Sequence, residues 1–319
     1  MAVVNLSNGS VIRTFNLPPE GFDPITASDS ELAVYGFPAR PSDPAILARF
    51  ESHYRRTKGR MRYIVPEFEL RPSLRHPEIS GAKDAGGATV SFWSGAVVYA
   101  PSGESFKWLQ AEWVVPNVST AIGSNNIGST QNAYVEVAWV GLDNASLLQA
   151  GTGTSISPGG KPGSFLWHEW LPPGWVTITN LPVNGGDLIV VVICTPSGQG
   201  STTASIYFTN MTQGLQTSYS LSWPAGSNPF TGNQAEWIVE RPTVTGGSAI
   251  LPNYGEVVFT GATAVLTNGT VVDAGTTGGN NGSIQMVANG VTLSTAVIVS
   301  PTVVQCTYNG PVAGLVGVG

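Results

Sequence analysis

The sequence predicts an all-β protein, a two-sheet antiparallel β-sandwich preceded by a mostly irregular, partly helical N-terminal segment. Three observations carry this expectation. Charged residues make up 11% of the 319 residues, while Gly (39) and Pro (23) are plentiful; soluble proteins carry about 25% charged residues. From Ser91 onward, short apolar and β-branched runs are separated by Gly, Asn, Pro and Ser clusters, with no sustained helical periodicity. The bases are concentrated at the start of the chain. Eleven of the 14 Lys and Arg precede residue 89, so residues 1–88 carry a net +1 and residues 89–319 a net −7. The chain therefore reads as a Pro-rich, basic segment (1–88), accessory or propeptide-like, followed by a β-sandwich domain (89–319).

Residues 1–45 are punctuated by proline (NLPPEGFDP, YGFPARPSDP). Each proline removes a donor and pushes its predecessor toward extended geometry, which forbids a long helix there. The helical stretch is placed at Pro44–Arg62, where Ile46, Leu47, Phe50 and Tyr54 recur at spacings of three and four and the opposite face is cationic. Two readings of that face compete: a solvated surface helix, or part of a basic clamp, residues 49–75, that lies on the acidic body, hinders its cleft at neutral pH and is released in acid. GAKDAGGATV (81–90) reads as a linker. The body then offers strand-like runs in order: SGAVVYA, WLQAEWVV, AYVEVAWVGL, WVTITNL, DLIVVVIC, TASIYFTN, AEWIVE, GEVVFTGATAV, TLSTAVIVS and TVVQCTY. Ten such runs with frequent turns indicate two packed sheets, and roughly 230 residues suffice for one such core. The echo between AEWVV (111–115) and AEWIV (235–239) is too short to be a repeat, and it shows that a Glu in this context can be structural.

Composition excludes several functions. A body at −7 with three bases would repel a phosphate backbone, so nucleic acid is not an expected partner. The longest uninterrupted apolar run, Leu188–Cys194, is far shorter than the about 20 residues of a membrane helix. MAVVNLSNGS lacks the charged and apolar regions of a signal peptide, which leaves the compartment open. Cys194 and Cys306 are too few for a disulfide framework or a cysteine metal site; they pair with each other or stay as buried thiols. The three histidines, His53, His76 and His168, form no H-E-x-x-H, and no metal or other cofactor is expected. No serine sits in G-x-S-x-G, and no D-T-G or D-S-G occurs. Cys194 lies in an apolar strand, where a core thiol is the better reading than a nucleophile. Seven N-x-[S/T] sequons occur, one of them at Asn144 inside WVGLDNASLLQAGTG, which argues against heavy glycosylation.

The chemistry is left to carboxylates, amides and tryptophans. Glu104, Asp187, Glu256 and Asp273 sit in turn-like contexts and read as solvated. Glu136, Glu169, Glu236 and Glu240 alternate with apolar residues inside strands. A carboxylate buried without a cation has a raised pKa, the property a general acid needs. In AEWIVE, period-two alternation puts Glu236, Ile238 and Glu240 on one face and Trp237 on the other. In LWHEWLPP, Trp167 and Glu169 share one face, His168 and Trp170 the other. In WVGLDNASLLQAGTG, Gln149 precedes a Gly-rich turn that would leave its amide free to project.

WVGLDNASLLQAGTG, WHEWLP and AEWIVE, in that order in an acidic β-rich chain, resemble the glutamic peptidases (eqolisins, peptidase family G1). The resemblance covers about residues 91–309 and includes FWSGAVV, VVPNVS and TASIYFTNMTQGLQTS. It implies a concanavalin-like jelly-roll sandwich and an acid-acting, metal-independent endopeptidase with polypeptide substrates. By motif position it places the catalytic Gln at Gln149 and the catalytic Glu at Glu240. Trp139, Asp143, Trp167, Glu169, Trp170 and Glu236 match cleft-lining or supporting positions. Family members are generally secreted, and a monomer is expected. This chain departs from the pattern at His168, where the family has Tyr, at Phe165, where it has Asp, and at Gly153, where it often has Asp. The rival expectations are a glycoside hydrolase using Glu169 and Glu240, and a carbohydrate-binding module with Trp167, Trp170 and Trp175 as stacking platforms.

Overall fold

The computed structural model describes residues 2–75, 88–120, 133–223, 228–245, 247–276 and 281–310. His76 and most of the expected linker lie outside the described residues.

Most of the strands form one continuous, mainly antiparallel ladder folded into two layers, as the sandwich expectation requires, and Leu74–Arg75, Thr243–Val244 and Gly247–Ser248 form a separate small sheet. In the front layer, neighbours run Phe68–Leu70, Val176–Ile178, Pro162–Trp170, Leu148–Ile156, Tyr134–Leu142, Gln234–Glu240, Trp93–Tyr99 and Asn281–Ala288. The hairpin into Val291–Ser300 leads to the back layer. There the order is Val303–Tyr308, Glu256–Leu266, Phe106–Val114, Leu188–Cys194, Thr203–Asn210, Leu215–Ser222, Val11–Thr14 and Ala2–Asn5. The N-terminal segment thus supplies edge strands to both layers, and covers backbone groups that would otherwise stand unpaired.

Alternation builds the interior. Ala138, Val140, Leu148, Ala150, Trp237 and Val239 of the front layer meet Leu109, Trp113, Ile189, Val191, Phe208 and Phe259 of the back layer in one core cluster. Each aliphatic side chain so buried contributes about 1.5–3 kcal/mol. The central front strands are also buried on their outer face. A second cluster lies there, comprising Trp93, Val97, Val137, Trp139, Leu147, Trp167, Trp175, Ile238 and Ile284. An outward face that is closed, tryptophan-rich and acid-bearing is where the candidate site lies.

Several expectations need correction. The helix spans Pro44–Thr57, not Pro44–Arg62; Gly59, in the left-handed region at φ 68°, turns the chain toward the short strand Arg62–Tyr63. A second helix, Asp29–Val34, is capped by the Ser28–Glu31 reciprocal pair. The cationic helix does lie on the body, with Arg56 2.9 Å from Glu112 and Arg49 3.5 Å from Asp273. However, its buried Ile46, Phe50 and Tyr54 face Trp108, Val190, Val192 and Tyr207, on the outer face of the back layer. The helical part of the 49–75 stretch is therefore on the far side of the sandwich from the front-layer face and does not hinder that face, whereas Leu74, at the other end of the stretch, packs against the front-layer clusters. Asp187 is not solvated. It is buried, accepting from Asn184 N at 2.9 Å, from Asn210 Nδ2 at 2.9 Å and from Gln213 Nε2 at 3.1 Å. Asn210 is itself buried in this network, which removes one sequon from modification. Cys194 and Cys306 are free thiols, and do not pair.

Candidate active site

The site is assembled by register across four front strands. Tyr134–Leu142 is central, and its outward residues are Val135, Val137, Trp139 and Gly141. Gly141 pairs with Gln149 on one side and Glu236 on the other. Trp139 pairs with Gly151 and Ile238, and Val137 with Gly153 and Glu240. Gln149 in turn faces Glu169 on the next strand, Gly151 faces Trp167 and Gly153 faces Phe165. All of these side chains share one face. Gln149 and Glu240 therefore flank the central strand from opposite sides, and Trp139 stands between their levels.

Trp139 connects the two positions. Its Nε1 donates to Glu240 Oε2 at 2.8 Å, and the far end of its ring reaches over Gly141, the residue level with Gln149. Gly141 lacks a Cβ where one would run into that ring, so the close approach needs glycine here. The expected Gly-rich turn after Gln149 is absent: Leu148–Ile156 is one strand. Gln149 projects because it stands on the outer face of that strand, and the glycines beyond it admit neighbouring rings.

The Gln149 amide is oriented. Its Nε2 donates to Glu169 Oε2 at 2.9 Å, and the same oxygen accepts from Trp175 Nε1 at 3.1 Å. Trp175 is stacked on Trp167 with centroids 4.0 Å apart and planes 13° apart, so Glu169 is held by a rigid aromatic pair. Gln149 Oε1 is buried without a hydrogen-bond partner among the described residues. Such a group in a native fold marks a place where a ligand or water is to be received.

The remaining expected residues have supporting positions. Glu236 accepts from Gln234 Nε2, and burial pushes its carboxyl well above the ordinary range, reinforced by the nearby Asp143 and Glu240 charges. Asp143, at φ 73°, accepts from Asn144 N at 2.6 Å, Thr231 N at 2.6 Å and Thr231 Oγ1 at 2.7 Å. It ties the end of the central strand to the loop that leads into Gln234–Glu240. Trp170 is not brought to the site: it points between the layers, donating to Ser146 Oγ at 3.1 Å. His168 faces the same interior, 2.7 Å from the Tyr219 hydroxyl, and burial pushes its pKa down to about 3. It is a neutral core residue, not a proton-transfer group.

Two neighbours were not read as site residues from sequence. Trp93 packs edge-on against Trp139 at 5.3 Å. Leu74 reaches the same face from the N-terminal segment, where Leu74–Arg75 pairs antiparallel with Thr243–Val244 and Arg71 N donates to Trp175 O at 2.8 Å. Trp93 sits in the FWSGAVV run that carried part of the resemblance. No local pattern announces Leu74. Among the described residues, no cluster of His, Cys, Asp or Glu could hold a metal ion.

The chain is similar to known proteins over this same region. Residues 91–308 match the model of the Peptidase A4 family. Aspergillopepsin-2 of Aspergillus niger is 28% identical over 196 residues, a span that covers 57% of this chain and 66%, just under two thirds, of that protein. The fold is similar to scytalido-glutamic peptidase bound to a peptide-based transition-state analogue (TM-score 0.54, 23% identity, 68% of this chain and 98% of that chain). It is similar also to SCP-B, a member of the eqolisin family of peptidases in complex with the tripeptide Ala-Ile-His (TM-score 0.53, 22% identity, the same coverage). With the family model spanning residues 91–308, more than half of the chain, and the Gln149 and Glu240 motifs gathered on one face of the front layer, the chain belongs to the Peptidase A4 family, the glutamic peptidases or eqolisins.

Proposed function

We propose that the protein is an acid-acting endopeptidase that hydrolyses polypeptide substrates with Gln149 and Glu240 and without a metal. One observation carries the reading. Gln149 and Glu240 rise from the same face on either side of the central strand, each held in place by a tryptophan-anchored hydrogen bond.

The chemistry follows from the groups present. Glu240, ionised, takes a proton from a water that attacks the scissile carbonyl. The Gln149 amide has two N–H bonds; Glu169 holds one, and the other is directed at the developing oxyanion. A side-chain donor in that role is worth about 3 kcal/mol. Glu240, now protonated, hands the proton to the departing amine, so one carboxyl serves as base and then acid. Glu169 is committed to orienting the amide, which weakens its candidacy as a partner of Glu240 in glycoside hydrolysis. The stacked Trp167–Trp175 pair is fully buried and offers no open platform for a sugar.

The test is digestion of a denatured protein at about pH 4 beside a panel of β-glucans. The wild type is expected to cleave the protein and leave the glucans intact, while folded Gln149→Ala and Glu240→Gln variants lose at least about a hundredfold in kcat. Full activity in either variant removes the dyad; glucan cleavage removes the peptidase reading.

A further inference from the structure

Gly153 and Phe165 are directly opposed on neighbouring strands. The Phe165 ring folds over Gly153 and occupies the space that any Cβ there would need. The two positions where this chain departs from the acid residues of the family pattern are therefore one contact. That contact lies in the same register row as Glu240, through Val137. Phe165 belongs both to the tryptophan-rich outer cluster and to a smaller one formed by Val135, Val244 and Ala249. The floor beside Glu240 is thus continuous apolar surface.

That floor already has an occupant. Leu74, half-buried, packs against both of these clusters. Its strand is held by main-chain pairing to Thr243–Val244, three residues beyond Glu240. An extended chain with an apolar side chain on an apolar floor is how a substrate segment would be held, main-chain bonds giving affinity and the side-chain seat giving selectivity.

Resting on the peptidase reading above, we propose that Phe165 over Gly153 forms a subsite selecting a large apolar side chain of the substrate, and that the protein's own Leu74 marks its seat. Charged substrate side chains are rejected there because the floor offers them neither partner nor water.

The experiment digests a mixed-sequence peptide library with the full chain at about pH 4 and reads the new termini by mass spectrometry. One position flanking the cleaved bond should be enriched about tenfold for Leu, Met, Phe and Tyr over Ser, Asp and Lys. Phe165→Asp should abolish that enrichment and turn it toward Lys and Arg, a ratio read within one digest. Leu74→Asp leaves the sheet untouched and weakens the internal occupant. It should lower KM for apolar-bearing peptides by more than it changes kcat, and it decides the matter if Phe165→Asp does not fold. Cleavage without apolar enrichment, an unchanged profile in folded Phe165→Asp, or an unchanged KM in Leu74→Asp overturns the subsite and leaves the peptidase reading standing. A wild type that cleaves nothing overturns both.

Discussion

Trp139 shows how much a single side chain contributes to this face. Its indole N–H fixes the Glu240 carboxylate and its ring fills the ground between Glu240 and the level of Gln149. Trp139→Phe keeps most of the ring and deletes only the donor. A hydrogen bond to a charged group is worth about 1.5–3 kcal/mol, so kcat should fall about tenfold or more while KM changes little; steady-state kinetics on one peptide checks this. Equal losses in kcat and in substrate affinity would show that Trp139 acts mainly as a wall. At this scale the sequence was informative where chemistry sits in ordered motifs. Alternation assigned the faces of Glu169 and Glu240, whereas Gln149 and Trp139 were singled out by their place in the ordered motifs, Gln149 on the expectation of a turn where the chain forms a strand. Trp170 was misplaced because it shares a motif with Trp167 but not a face, its position three residues after Trp167 putting it on the opposite side of the strand.

Strands buried on both faces give the molecule an unusual dependence on pH. Glu136 points inward from the central strand, bonded to Thr154 Oγ1 of its cross-strand partner at 2.7 Å, and burial raises its pKa from 4.5 to about 8. Glu236 is shifted in the same direction. Both hold protons in the folded state that the unfolded chain has released, so each lowers stability as pH rises above 4.5 until its folded pKa is passed. His168 and His53 act with the opposite sign. Burial depresses them from 6.5 to about 3 and about 4, so the unfolded chain binds protons that the folded one refuses, and stability rises with pH up to 6.5. The two sets offset each other between about pH 4.5 and 6.5, and above 6.5 only the carboxyls remain. Stability should therefore climb from about pH 3 to 4.5, stay nearly level to 6.5, and then fall at roughly 1.4 kcal/mol per pH unit for each carboxyl still protonated. Urea denaturation across this range reads the curve; Glu136→Gln should reduce the alkaline fall, and His168→Asn the acid one. An alkaline limb unchanged in Glu136→Gln would exclude Glu136 as its source. The helix at Asp29–Val34 has a sequence signal in Ser28 and Glu31, a capping box set among prolines that favour irregular chain. The alternating β-runs were legible throughout, whereas the pairing that places Phe165 on Gly153 needed a register that no local pattern supplies.

Over the whole molecule, the asymmetry of charge invites an electrostatic account of how the N-terminal segment is held, and the magnitudes favour a different one. Arg49–Asp273 and Arg56–Glu112 are partly exposed ion pairs, each worth about 0–1 kcal/mol. Against them stand Ile46, Phe50 and Tyr54, buried on the back layer, at about 1.5–3 kcal/mol each. The segment adds a core of its own, in which Leu32, Phe37, Phe50 and Tyr54 pack together. It is further tied by pairing of Val11–Thr14 with Leu215–Ser222 and of Phe68–Leu70 with Val176–Ile178. Sequence composition reveals charge but not which face a helix chooses, so the apolar stripe of Pro44–Thr57 could be read and its seat on Trp108, Val190 and Tyr207 could not. The consequence is specific. Protonating the carboxylates by a shift from about pH 7 to about pH 4 should leave the helix docked, with amide exchange in Pro44–Thr57 and in the underlying strand Leu188–Cys194 slowed to the same degree after correction for intrinsic rates. Phe50→Asp removes the ring and puts under the helix a carboxyl that is charged at pH 7 and an unpartnered polar group at pH 4, and should release the helix at both pH values, at a cost of several kcal/mol. Rapid exchange of the helix in the wild type at pH 4 alone would return the attachment to its charges, and would make the basic face the means by which acid frees the segment.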